Sequence, residues 1–414
     1  MKELSKCKKK RKVKRLKKRL FVIVFLFAVA VAFFLPSSPM SVTANQQSNQ
    51  NIRDQIGENV DNTLNNINMG DLDQIVNDLR NNQLNLFGGS SFTQRVGRIL
   101  SGEFHEEYDN MFSALFSLFG GFILDILPLI MLIVGIAILS GFIQSLRTDT
   151  QSDGVRDLVH FVTYAAVVVI VMFVVADVVL MVSNALSSMQ RQMEIIFPIL
   201  LTLMVSVGAT SSAGVYQPAV AILTQGVMQI FTTILMPLFI IVLVFSVVGH
   251  LSPKTKLDKF VSFFTSAYKW ILGIVFTVFL GFLTIQGISA GAHDGVSIRA
   301  ARFTISSYVP ILGGYISQGF DLVMASSILI KNAIGVTGMF LLFASVLAPI
   351  AYIVVLSLGL KLAAAITQPI ADARISDFLT TVNKAFSMLL SVLIGAAFMY
   401  FITIGLIIIT GNVL

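Results

Sequence analysis

The chain has few of the residues that do chemistry. Its 414 residues include one cysteine, Cys7, so residues 20–414 form no disulfide and no thiolate metal site. The four histidines, His105, His160, His250 and His293, lie far apart, and none is paired at a metal-binding spacing. Neither an HExxH zinc motif nor a GxxxxGK[ST] phosphate loop occurs, so no metal, nucleotide or other cofactor is expected. Charge is scarce too. Asp, Glu, Lys and Arg make up 12% of the chain, against roughly 25% in an ordinary soluble domain. Such a chain cannot cover its surface in water. A soluble enzyme, a free nucleic-acid binder and a disordered scaffold are excluded.

Apolar sequence is abundant, at 55% hydrophobic residues and a mean hydropathy of +0.83. The expected class is an all-α polytopic membrane protein with about six to eight transmembrane helices. The formal net charge of +7 comes from the N-terminus, where Met1–Arg19 hold twelve Lys/Arg against one Glu. The remainder is net acidic, and nothing in it points to nucleic acid.

Three domains are expected. Residues 1–44 combine the basic run, an uncharged stretch Leu20–Leu35 ended by Pro36, and small residues at Val42-Thr43-Ala44. That is the plan of a secretory signal peptide cut after Ala44, with an uncleaved anchor as the alternative. Either way the following segment leaves the cytoplasm, because the Lys/Arg cluster stays inside. Residues 45–110 form an Asn-rich extracytoplasmic segment. Ile52, Ile56, Val60, Leu64, Ile67, Leu72, Ile75 and Leu79 recur at three- and four-residue steps, which suggests short amphipathic helices. This segment is either a solvated linker or a docking surface for a partner outside the membrane. Residues 111–414 form the transmembrane domain.

In that domain six stretches are long enough to cross roughly 30 Å of hydrocarbon. They are Phe122–Leu146, Val159–Val182, Ala219–Val248, Trp270–Gly291, Ala333–Leu360 and Ala385–Thr410. Two runs, Ile195–Gly208 and Val309–Phe320, are shorter and carry a proline near their start. Short interrupted segments of this kind re-enter the membrane or line a cavity as half-helices. The two are related. A shift of 112 residues lays Pro198-Ile199-Leu200 on Pro310-Ile311-Leu312, Gly226 on Gly338, Phe231 on Phe343 and Pro237 on Pro349. The expected internal repeat has halves at about 159–249 and 271–361. With both short runs re-entrant, Arg147, Arg156, Lys254, Lys256, Lys259, Lys269, Lys361, Arg374 and Lys384 all face the cytoplasm. The positive-inside rule therefore favours six full spans over eight.

Polar residues at membrane depth are costly and mark candidate path or interface positions. Asp125 and Asp177 fall near the outer ends of the first two spans. Asp177 is the harder to excuse as merely interfacial. Lys331 and Asn332 open the span Ala333–Leu360. Asp321 precedes Lys331 by ten residues, about 15 Å on one straight helix, so the two meet only across a break near Ser326-Ser327. Lys331 could also snorkel at the interface. Gln286 lies inside an apolar span, with Gly287 and Gly291 in GxxxG spacing, and could hydrogen-bond across a close helix contact. Asp294-Gly295 marks a turn, after which Arg299 and Arg302 share a helical face suited to a lipid head group, an anion or a carboxylate.

Several of these residues carry a resemblance. Gln286-Gly287, Asp294-Gly295-Val296, Ile298-Arg299, Pro310-Ile311-Leu312-Gly313, Leu329-Ile330-Lys331-Asn332, Lys361-Leu362-Ala363-Ala364-Ala365, Gln368-Pro369 and Thr410-Gly411-Asn412 resemble, in order, the signature of the stage III sporulation protein AE family. The resemblance runs from about Phe112 to the C-terminus. It implies a membrane component of a secretion-like channel complex joining mother cell and forespore. The protein would sit in the mother-cell membrane around the forespore and support late forespore gene expression. The implied partners are companion membrane proteins of the stage III A operon, among them a secretion-type ATPase, and the forespore's stage II sporulation protein Q. The family implies no catalytic residues. The competing expectation, from the repeat and from Asp177, Gln286 and Lys331, is a self-sufficient secondary transporter for a small solute.

Overall fold

The computed structural model describes residues 70–81, 91–101, 106–145, 153–251, 257–308, 313–370 and 373–410. The expected signal peptide and the first part of the Asn-rich segment lie outside the described residues. The described residues form helices, with no strand among them.

Two short helices come first. They are α1 (Gly70–Asn81) and α2 (Phe92–Ser101). Both are amphipathic, as the spacing of Leu72 and Ile75 suggests, and they bury Leu72, Ile75, Val76, Phe92 and Val96. The start of α2 is fixed twice. Ser91 and Gln94 form a capping box, Gln94 N–H to Ser91 Oγ at 3.1 Å and Ser91 N–H to Gln94 Oε1 at 3.0 Å. Asp73 of α1 accepts the Phe92 N–H at 2.6 Å. Helix α2 then lies against a later long helix (Gly313–Thr367), where Arg95 sits 4.8 Å from the centroid of the Phe340 ring.

Long rods follow: α3 (Glu106–Ser145), α4 (Asp153–Ser206), a composite rod, α8 (Asp258–Tyr308), α9 (Gly313–Thr367) and α10 (Ala373–Ile409). The composite rod consists of α5 (Thr210–Ala221), a π-helical stretch Ile222–Val227, α6 (Met228–Ile230), a second π-helical stretch Phe231–Leu235 and α7 (Met236–Leu251). Six rods are long and apolar enough to cross a membrane. With 54 residues, α4 is about 80 Å long at 1.5 Å per residue, far more than a bilayer's hydrocarbon. Long parts of the bundle therefore stand beyond the membrane.

Successive rods alternate in direction. Tyr164 of α4 donates to the Val247 carbonyl of α7 at 2.8 Å, and Gln192 of α4 meets Ser345 of α9. Lys331 and Ser357 of α9 bond to Thr410 beyond α10 and Asn383 of α10, an antiparallel register. Helix α3 runs parallel to α9, with Phe122 edge-on to Tyr352, Ile126 and Ile130 at Gly359, and Gly141 at Ile370. This order groups Lys259, Lys269, Lys361, Arg374 and Lys384 toward the end that carries the 252–256 and 368–372 connections. The core is α9 with α10, the two most buried of the six spans, and α4 and α3 lie against α9.

Three local expectations are corrected. The run Ile195–Gly208 is not a hairpin of its own but the last stretch of α4, which continues through Pro198. Ile196, Phe197, Leu200, Leu203 and Met204 are all buried, so packing outweighs the helix-breaking tendency of the proline. The chain turns only at Val207–Ala209, where Gly208 takes φ 85°, a left-handed value that favours glycine. Asp294-Gly295 makes no turn, since α8 runs unbroken from Asp258 to Tyr308. Ser326-Ser327 makes no break in α9 either. Ser326 Oγ donates back to the Leu322 carbonyl at 2.8 Å, which leaves the helix intact. Of the second short run, residues 309–312 lie outside the described residues, and Gly313–Phe320 opens α9.

Close helix approach rests on a few glycines. A Cβ at Gly335 would lie 2.5 Å from Ile408 of α10, and one at Gly395 would lie 2.7 Å from the Phe276 ring. Gly335→Leu should destabilise the bundle by about 1–3 kcal/mol through overpacking. Thermal unfolding in detergent measures this. Gly273→Leu is the control, because a Cβ at Gly273 meets nothing within 4 Å; its melting temperature should not fall.

Candidate functional site

The most unusual buried group is Lys331. Its side chain is fully buried. It projects from α9 toward the end of α10, where Nζ donates to the Thr410 carbonyl oxygen at 2.5 Å. That carbonyl belongs to the helix's last turn, where carbonyls lack intrahelical donors, so a cation there is doubly favourable. Thr410 extends the cluster. Its hydroxyl bonds the Leu406 carbonyl at 2.8 Å and lies 3.1 Å from the Tyr216 hydroxyl of α5. Beside it the turn residue Val207 packs on Met324 of α9, with Phe320 and Ile328 around them. Lys331 thus links α9 to the α10 terminus, and Thr410 passes the link to α5. Since α9 is unbroken, no helix break folds the lysine back on Asp321; it is a tie between rods.

A second polar layer crosses the bundle further along α9. Gln192 of α4 is fully buried, and its Nε2 donates to Ser345 Oγ at 2.5 Å and to Ser188 Oγ at 3.2 Å. The Gln192 Oε1 and the nearby Tyr400 hydroxyl meet no hydrogen-bond partner among the described residues. A water or an incoming polar group would satisfy them. A third polar feature lies at the opposite end from Lys331. There a cleft of about 330 Å³ between α7, α8 and α10 is lined by His250, Asp258, Lys269 and Lys384.

The other sequence candidates do not converge on Lys331. Asn332 is half-buried, with its Oδ1 lacking a partner among the described residues. Gln286 is buried on α8, and its Oε1 accepts no hydrogen bond from any described residue, so that atom does not bridge two helices. Asp294, Arg299 and Arg302 lie in the last third of α8. Gln368 is exposed in the turn after α9. Asp177 is exposed on α4, and with Asp125 of α3 it lies within electrostatic reach of Tyr352. Those two carboxylates, on different helices, are brought to one neighbourhood. Among the described residues no group of three His, Cys, Asp or Glu is placed to hold a metal ion.

Gln192 was not singled out from sequence, although its signal was present. Ser188 and Gln192 sit four residues apart among Leu186, Met189, Met193 and Ile196, so polar atoms fall within an apolar helical face.

Lys331→Met keeps the apolar stem and removes the donor. It should cost about 1–3 kcal/mol by leaving a half-buried carbonyl unpaired, read as a lower melting temperature with faster amide exchange over Leu406–Thr410. Thr410→Val keeps the carbonyl and loses only the hydroxyl, so it should cost less, about 0.5–1.5 kcal/mol. Equal losses would contradict the role of Lys331 as the principal tie.

Comparison with known proteins gives the family directly. Residues 90–411 match the family model described as stage III sporulation protein AE, which covers α2 through the end of α10. Over 270 residues the chain is 26% identical to stage III sporulation protein AE of Bacillus subtilis (strain 168), covering 65% of this chain and 68% of that protein. No solved structure matches. The match takes in all six membrane-length rods and the Lys331–Thr410 tie, and the chain belongs to the stage III sporulation protein AE family.

Proposed function

We propose that this chain is the membrane-embedded platform of a channel complex that connects mother cell and forespore during spore formation. The family carries the sporulation role. The single observation that supports a platform is the form of the body. Six long rods, crossed by internal hydrogen-bond layers, stand well beyond the hydrocarbon on a core of α9 and α10. Such a body offers extended helical surface outside the membrane for other proteins, and helix α2, docked on α9, begins that surface.

In this reading the protein works without catalysis of its own. The energy for movement comes from a companion secretion-type ATPase of the stage III A operon. The remaining companions pack against its rods in the mother-cell membrane, and stage II sporulation protein Q approaches from the forespore. The complex then sustains late forespore gene expression.

Two measurements test this. Cells lacking the chain should engulf the forespore and then stall, with few heat-resistant spores. The tagged chain, solubilised from sporulating membranes, should bring companion membrane proteins with it. Recovery of the chain always alone, together with solute uptake by liposomes containing only this protein, would replace the platform with a self-sufficient transporter. Arg299→Ala should lower spore yield at unchanged protein level; loss of the protein itself would make Arg299 a packing residue.

A further inference from the structure

One face of the bundle is polar at a depth where another face is apolar. Helix α10 serves as the ruler, because α4 and α8 both run parallel to it. On α8, Phe276 lies against Gly395 and stacks on Phe398 at 6.4 Å between ring centroids. On α4, Phe197 packs on Tyr400 at 6.3 Å. Gly395 and Tyr400 are five residues apart, so Phe276 stands level with about residues 192–195 of α4, to within about one 5.4 Å turn.

The two rods present opposite chemistry at that level. Helix α8 exposes Ile274 and Val278, at 54% and 65% of their surface, in an apolar stripe that runs from Phe260 past Trp270 to Ile285. That stripe is long enough to cross the hydrocarbon. Helix α4 exposes Ser187, Arg191 and Glu194, at the four- and three-residue steps of one helical face. Nearer the start of α4 the exposed residues are mainly apolar, among them Val162, Val169, Phe173 and Leu180, with Asp177 as the charged exception. The neighbouring composite rod repeats the change. Gln225, Gln229 and Thr233 are exposed, alongside Ile222 and Ile234, and then Ile240, Val244 and Val248 toward its end.

Charged and amide side chains are costly against lipid, so a face of this kind at bilayer depth meets water or protein. Its groups already satisfy one another along the helix. Gln190 Nε2 donates to Glu194 Oε1 at 2.9 Å, and Gln229 Nε2 donates to Thr233 Oγ1 at 2.7 Å. Groups paired in this way can face water with no hydrogen bond left unmet. The two π-helical stretches fit the same purpose. Their wider turns let the four-residue steps from Gln225 to Gln229 to Thr233 stay on one line, where an α-helix of 3.6 residues per turn would rotate them away.

We propose that the α4 face bearing Ser187, Arg191 and Glu194, with Gln225, Gln229 and Thr233 beside it, is one wall of a water-filled path at membrane depth, and that the α8 stripe is the lipid face. This deepens the channel reading above and rests on it.

The test uses the full chain in native membranes, with Cys7→Ser as background. Ser187→Cys and Gln229→Cys should react with a charged, membrane-impermeant methanethiosulfonate reagent at least tenfold faster than Val278→Cys. In a Trp270→Phe background, brominated lipid should quench Val278→Trp and leave Ser187→Trp bright. Quenching of Ser187→Trp would make the face a lipid face. An unquenched Val278→Trp would put the whole level outside the bilayer. Disulfide-linked copies at Ser187→Cys without reagent access would make it a subunit interface. Each of these overturns the wall. None depends on spore yield, so a chain dispensable for sporulation would remove the complex and leave the wall standing.

Discussion

A backbone passing through hydrocarbon must satisfy its own hydrogen bonds, and the rest of this structure depends on that requirement. Among the described residues it turns every apolar stretch into a helix and leaves side chains to meet the residual demand. Threonine and serine do so along the rods. Thr224, Thr232, Thr277, Thr284, Thr337, Ser345 and Thr403 each donate to a carbonyl one turn earlier. A hydroxyl that pairs within its own helix is compatible with any neighbour, whether lipid, protein or water. The few polar groups that bond between rods are therefore those that specify the fold.

Those inter-rod bonds are spread through the bundle rather than gathered in one site. Tyr164 to Val247, Tyr268 to Met388, Ser357 to Asn383, Gln192 to Ser345 and Lys331 to Thr410 each join a different pair of segments or a different height. Apolar packing between helices is tolerant of sliding, because one layer of Leu and Ile resembles the next. A hydrogen bond between buried groups is not tolerant, since a slip of one turn leaves both partners unpaired. Such bonds, some buried and some half-buried, fix the register of a bundle whose rods have no connecting sheet or disulfide to hold it.

The number and class of the rods were legible in the sequence because length and hydropathy alone decide them. Boundaries were less so. Pro198 and the Gly/Ser-rich residues after it mark a break by local rules, yet Phe197 and Leu200 are buried on both sides of the proline and the helix carries on. Asp294-Gly295 has turn chemistry and yet lies within an unbroken helix. Lys331 was legible as exceptional, but its partner is 79 residues away, and no local pattern encodes that distance. Asp125 and Asp177 were legible as carboxylates near the ends of two successive spans; Tyr352 of α9, which completes their neighbourhood, was not.

The stripe on α4 was overlooked for an instructive reason. Hydropathy treats Ser183–Glu194 as the polar gap between two apolar runs, and a gap reads as a loop. The helical period reads it differently, with Ser187, Arg191 and Glu194 on one side and Leu186, Met189, Met193 and Ile196 on the other. An amphipathic segment inside a long apolar rod has its buried face committed to the bundle, so its polar face is the informative one. In a soluble protein that face would be ordinary surface. Here it lies level with Ile274 and Val278 of α8, and the two faces cannot share one solvent. That difference in chemistry at one level is the ground on which the proposed water-facing wall stands.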